Sequence, residues 1–133
     1  MIKLKSLLLP EALTEDLPEY LYHATFNALI PEIQAEGLIP GGRDFRNYED
    51  IDWGVYLSND FDFAGSMTEN TENENVPEKW LEEVVVIMLS TKNLDKSKFD
   101  SDPNVTLWEG DTRAYIYRGI IPPSAIIEIV DYP

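Results

Sequence analysis

Residues Val84-Val85-Val86-Ile87-Met88-Leu89 form an unbroken apolar run dominated by β-branched side chains. The run is too short for a typical helix and its composition favours the pleated backbone, so Glu83 to Leu89 is predicted to be a strand. A strand with one wet face alternates polar and apolar residues, whereas an unbroken run needs apolar cover on both faces. The fold must therefore place layers on either side of this strand. A chain of 133 residues, 44% of them hydrophobic, has the material for one such core, and we read a single domain over residues 1–133 without a linker.

The remaining segments are short and punctuated. Tyr20 to Thr25 is compact and aromatic, as expected of a second buried strand. Leu29, Ile30 and Ile33 then recur at helical spacing before Gly37 supplies a stop, and Pro31 is tolerated only in a first turn, so the helix is predicted to begin between Asn27 and Ile30. Gly41-Gly42-Arg43 through Asp52 reads as a loop, closed by Trp53 and a strand from Gly54 to Ser58. Asn59 or Asp60 can cap a helix carrying Phe61, Phe63, Ala64 and Met67. From Glu69 to Asn75 no residue is apolar, and 69–80 is predicted to be an acidic, flexible loop. Ser90 to Phe99 reads as a turn and short helix, Asp100 to Asn104 as a loop, and Ala114–Arg118 and Ile126–Val130 as the last strands, with Pro122-Pro123 starting a helical turn or tight crossover between them. Pro10 and Pro18 divide residues 1–19, which we read as an N-terminal wrap. Strands outnumber the short helices and no regular strand–helix alternation occurs, so the class is α+β.

With 25 acidic against 10 basic side chains, the net charge is −15 at pH 7. Such a field repels phosphate backbones and anionic lipid heads, so direct nucleic-acid binding is disfavoured, whereas a basic protein partner suits it. The absence of cysteine excludes disulfides and thiol chemistry. The run Leu7-Leu8-Leu9 ends at Pro10, too short for a signal-peptide core, and nothing approaches the roughly 20 apolar residues of a membrane span. These features predict a cytoplasmic protein. A lone histidine argues against zinc, neither Asp95 to Asp102 nor Asp44 to Asp52 has calcium-loop spacing, and no metal is expected. There is no Gly-x-Gly-x-x-Gly and no phosphate loop, so a nucleotide would have to bind by another scheme.

Four short motifs occur in order: Leu21-Tyr22-His23-Ala24-Thr25, Glu36-Gly37-Leu38, Gly54-Val55-Tyr56-Leu57-Ser58, and Tyr115-Ile116-Tyr117-Arg118-Gly119 followed by Ile121-Pro122-Pro123. Their order resembles that of the ADP-ribosyltransferase superfamily over residues 20–130. The resemblance implies a split antiparallel β-sheet core with short helices and a cleft in which NAD is held bent. It implies that His23 contacts the adenosine-side ribose, that the main chain of the same strand pairs with the nicotinamide amide, and that Tyr56 lies against the nicotinamide ring. Thr25 and Ser58 follow as secondary contacts, and Arg43 as a contact of the NAD pyrophosphate. The residue types suit these roles: an imidazole both donates and accepts, as ribose hydroxyls do, and a tyrosine face over a pyridinium contributes about 0.5–2 kcal/mol. Each also has a plain structural reading. A single histidine beside an apolar strand is commonly a hydrogen-bonded core residue, a strand tyrosine commonly packs, Arg43 and Arg46 can be solvated loop charges, and Arg118 can pair with a carboxylate inside the fold.

The chain departs from the family pattern at Ala114, the slot where many members begin the late strand with a glutamate. There a carboxylate steadies the oxocarbenium-like transition state for nicotinamide loss, and its removal costs about 10²–10⁴ in rate. Three readings follow. Glu109 or Asp111 can reach the space, giving a catalytic set of His23, Tyr56 and Glu109; the substrate or target can supply the carboxylate; or the site keeps binding without chemistry. The function implied by the resemblance is a mono-ADP-ribosyltransferase acting on a macromolecular target, a protein in the first instance, with NAD as co-substrate and nicotinamide released. One alternative is a catalytically inactive acidic interaction or phosphate-mimic protein on the same fold, drawn from the net charge and the acidic run Glu69 to Glu83. Another is an RNA 2′-phosphotransferase-like enzyme, disfavoured because Tyr56 stands where that branch has histidine and the arginines are only Arg43, Arg46, Arg113 and Arg118.

Overall fold

The computed structural model describes residues 17–40, 54–69, 77–101 and 112–132. In chain order they form β1 (Tyr20–Phe26), α1 (Ile30–Glu36), β2 (Val55–Ser58), α2 (Phe61–Glu69), β3 (Val84–Ser90), β4 (Phe99–Ser101), β5 (Ala114–Tyr117) and β6 (Ile126–Asp131). Short 3-10 turns cover Asn27–Leu29, Glu78–Glu82, Lys96–Lys98 and Pro123–Ala125. The strands make one sheet in the order β4-β5-β2-β1-β3-β6, every neighbouring pair antiparallel. The α+β class expected from the sequence is the class observed. Among the described residues no helix is long and apolar enough to cross a membrane.

The apolar run of β3 occupies the position its composition demands, between β1 and β6 and with Val84, Val85, Val86, Ile87 and Leu89 all buried. Alternate residues of a strand leave opposite faces, and two apolar clusters follow from that alternation. On one face Leu21, Val55, Leu57, Ile87, Leu89, Tyr115 and Tyr117 pack with Ile33 of α1 and with Leu38, Phe99 and Ile121. On the other, Ala24, Phe26, Val84 and Val86 pack with Ala64 of α2, and Phe61, Trp80 and Tyr132 close the rim.

Both helices are delimited by the residues that predicted them. Pro31 lies in the first turn of α1, and Gly37 ends it with φ +87° and ψ −172°, a conformation almost confined to glycine. Leu38 and Ile121 then exchange main-chain hydrogen bonds of 2.8 and 3.0 Å, which fastens the end of α1 to the crossover before β6. Asp60 caps α2 through Oδ1, which accepts from the Phe63 N–H at 3.0 Å.

Among the described residues, two segments differ from their prediction at one end or more. Asp100 and Ser101, read as loop, belong to β4, a three-residue edge strand whose Phe99 pairs with Tyr117 of β5. Neither Asp nor Ser favours a strand, and tertiary pairing overrides that preference. Within the stretch 69–80, Glu69 is the last residue of α2 and Glu78 to Trp80 open a 3-10 turn, with the Trp80 ring 6.0 Å from that of Phe26, while residues 70–76 of the expected loop lie outside the described residues. Most of the N-terminal wrap, the loop bearing Arg43 and Arg46, and the segment with Glu109 and Asp111 lie outside the described residues.

Candidate functional site

The direction of main-chain groups along β1 is fixed by its flanking bonds. Asn27 donates to the Glu83 carbonyl at 2.8 Å and Thr91 donates to the Glu19 carbonyl at 3.0 Å, so odd-numbered residues of β1 turn N–H and C=O toward β3. Even-numbered residues turn theirs toward β2. On β2, Asn59 donates to the Arg113 carbonyl at 3.1 Å, which directs the odd-numbered residues to β5 and leaves Tyr56 and Ser58 facing β1.

A continuous β1–β2 ladder would join Tyr22 to Ser58 and then Ala24 to Tyr56 as successive rungs. Only the Tyr22–Ser58 rung is registered, whereas β1 pairs with β3 along its whole length. At the next rung, side chains take both carbonyls. Nδ1 of His23 lies 2.8 Å from the Tyr56 carbonyl oxygen, and the Thr68 hydroxyl donates to the Ala24 carbonyl at 3.3 Å. The β1–β2 ladder is thus interrupted immediately beyond Tyr22, at a rung bordered by the first and third sequence motifs.

The contact with Tyr56 also sets the state of the imidazole. A carbonyl oxygen only accepts, so Nδ1 carries the proton, and in the neutral ring Nε2 is then the acceptor nitrogen. His23 shares its face with Leu21, whereas Tyr56 shares the other face with Ser58 and Tyr22. The structure therefore joins the two residues through ring and main chain, with their side chains leaving opposite faces of the seam. Both are half-buried.

Thr25 is buried two residues beyond His23. Ser58 is 2% exposed, and its hydroxyl accepts from the Asp60 N–H at 3.0 Å, so it shapes the turn into α2. Directly across from Ser58, on β5, stands Ala114. Ala114, the position at which the chain departs from the resemblance, thus stands beside the third sequence motif and carries only a methyl group. Near it, Asp60 Oδ2 accepts from the Thr112 hydroxyl at 3.2 Å, and Asn59 Oδ1 accepts from the Arg113 N–H at 2.7 Å, which ties the start of β5 to the end of β2. Of the other sequence candidates, Arg43 and Glu109 lie outside the described residues, and Arg118 pairs with Asp100 at 3.0 Å, matching its structural reading.

Thr68 is the site residue that sequence reading missed. A signal existed: it stands four residues after Ala64, on the apolar stripe of α2, and a polar side chain in such a stripe needs a partner inside the fold. Chemically, main-chain N–H and C=O groups along a strand edge are the groups by which a sheet adds an extended partner, and here both carbonyls of the rung are held by side chains. Among the described residues no group of three or more His, Asp or Glu side chains is gathered as a metal site. No family model matches the sequence, and no curated protein matches it.

Proposed function

We propose that this chain is an NAD-binding domain of the ADP-ribosyltransferase type, which transfers ADP-ribose to a macromolecular target and releases nicotinamide. The observation that carries the reading is the β1–β2 ladder, interrupted at the rung where His23 bonds the Tyr56 carbonyl. The resemblance implies a split antiparallel sheet, and an interrupted ladder between two motif strands supports that reading. On this reading the β1 edge at Ala24 receives the carboxamide of nicotinamide, His23 borders a ribose from one face of the seam, and Tyr56 borders the nicotinamide ring from the other. The carboxylate that assists departure of nicotinamide is supplied by the acceptor side chain of the target, since the β5 slot is Ala114.

That same alanine favours a second reading, in which the domain binds NAD or nicotinamide without turnover. One experiment separates the two. NAD binding is measured by titration calorimetry and nicotinamide release is assayed in parallel, for the wild type, His23→Ala and Tyr56→Ala. Saturable binding weakened at least tenfold in both variants, with nicotinamide released, supports the transferase; binding without release supports the second reading. Absence of binding at millimolar NAD, with neither substitution changing anything but stability, removes both.

A further inference from the structure

Thr68 donates to the same carbonyl that the proposed ligand needs. It sits on α2, is 3% exposed, and reaches 44 residues back along the chain to donate to the Ala24 carbonyl. That carbonyl belongs to the interrupted rung, and the N–H and C=O of Ala24 both turn toward the seam. A primary carboxamide carries one acceptor and one donor in a single plane, complementary to an N–H and C=O from one residue. The hydrogen bond from Thr68 is 3.3 Å, beyond the roughly 2.5–3.0 Å usual for a hydroxyl donor, and so couples α2 to the strand edge weakly.

We propose that Thr68 is a latch on the seam: its hydroxyl holds the Ala24 carbonyl in the unliganded domain and gives it up to a planar primary carboxamide. The inference rests on the nicotinamide-binding reading above and adds to it a competition between α2 and ligand. Burial makes the competition effective. With the hydroxyl removed, the Ala24 carbonyl is left without its donor inside the protein, a cost borne by the empty domain and lifted when a ligand N–H arrives. The latch therefore destabilises binding and stabilises the apo fold by the same interaction, as linkage requires.

The test uses nicotinamide as the probe against wild type, Thr68→Val and Thr68→Ser. Valine keeps the shape and deletes the donor; serine keeps the donor. The latch predicts that Thr68→Val binds nicotinamide about threefold to tenfold more tightly, as loss of a competing hydrogen bond implies. It also predicts a lower Tm for Thr68→Val without ligand and a wild-type Tm at saturating nicotinamide, with Thr68→Ser close to wild type in both. A purely structural threonine lowers Tm equally with and without ligand and leaves the affinity unchanged, and that result overturns the latch while leaving nicotinamide binding intact. Failure of all three proteins to bind overturns the reading and the latch together. Should Thr68→Val not fold, the ¹³C shift of the Ala24 carbonyl in the wild type decides: nicotinamide that binds without moving it has displaced nothing.

Discussion

At the scale of single residues, the chain shows how a side chain substitutes for a ladder bond. Sheet carbonyls need a donor, and at the rung between Ala24 and Tyr56 the donors are an imidazole and a hydroxyl. For His23 the structure shows the hydrogen-bonded strand residue of its plain structural reading, and the proposed function adds a role at the binding edge. A simpler case is Asp95, whose carboxylate accepts from both the hydroxyl and the N–H of Ser97, at 2.6 and 2.9 Å. These bonds, the hydroxyl first, hold its pKa below the ordinary 3.8. Because the folded value is depressed, the stabilisation is complete above the unfolded pKa and is lost as pH falls through the folded one. An NMR titration is expected to place the Asp95 midpoint below 3.8, and Ser97→Ala to raise it toward that value.

At the scale of elements, boundaries were legible wherever one residue has a backbone preference strong enough to impose itself. Pro31 and Gly37 mark the ends of α1 because one fixes φ and the other alone accepts the observed backbone. A Cβ added at Gly37 would also overlap the Ile121 carbonyl oxygen, in the crossover bonded to Leu38. Gly37→Ala is accordingly expected to destabilise the domain by about 3 kcal/mol, the range for a strained backbone and a steric clash combined, as read by urea unfolding. Strand β4 was not legible, because Asp100-Ser101 has the composition of a turn and becomes strand only through the edge of β5. The capping aspartate of α2 was legible as one of two candidates; the Phe63 N–H selects Asp60.

At the scale of the whole molecule, charge and topology make opposite demands on the proposed ligand. The net charge of −15 repels an NAD pyrophosphate, so raising the salt from about 20 to 500 mM should tighten NAD binding and raise Tm, the reverse of a basic nucleotide site. Calorimetry and thermal melts at the two salt concentrations check both expectations. By itself the sequence determined the class, the buried central strand, the order of the elements and the pairing of His23 and Tyr56 as candidates, because each of these follows from local composition or short motifs. Only the tertiary structure decided the strand order, the interruption of the ladder between β1 and β2, the approach of Thr68 to Ala24 and the place of Ala114 opposite Ser58. Those features depend on which strand edges meet across long stretches of chain, and a main-chain carbonyl leaves no mark in the sequence to say which donor will reach it.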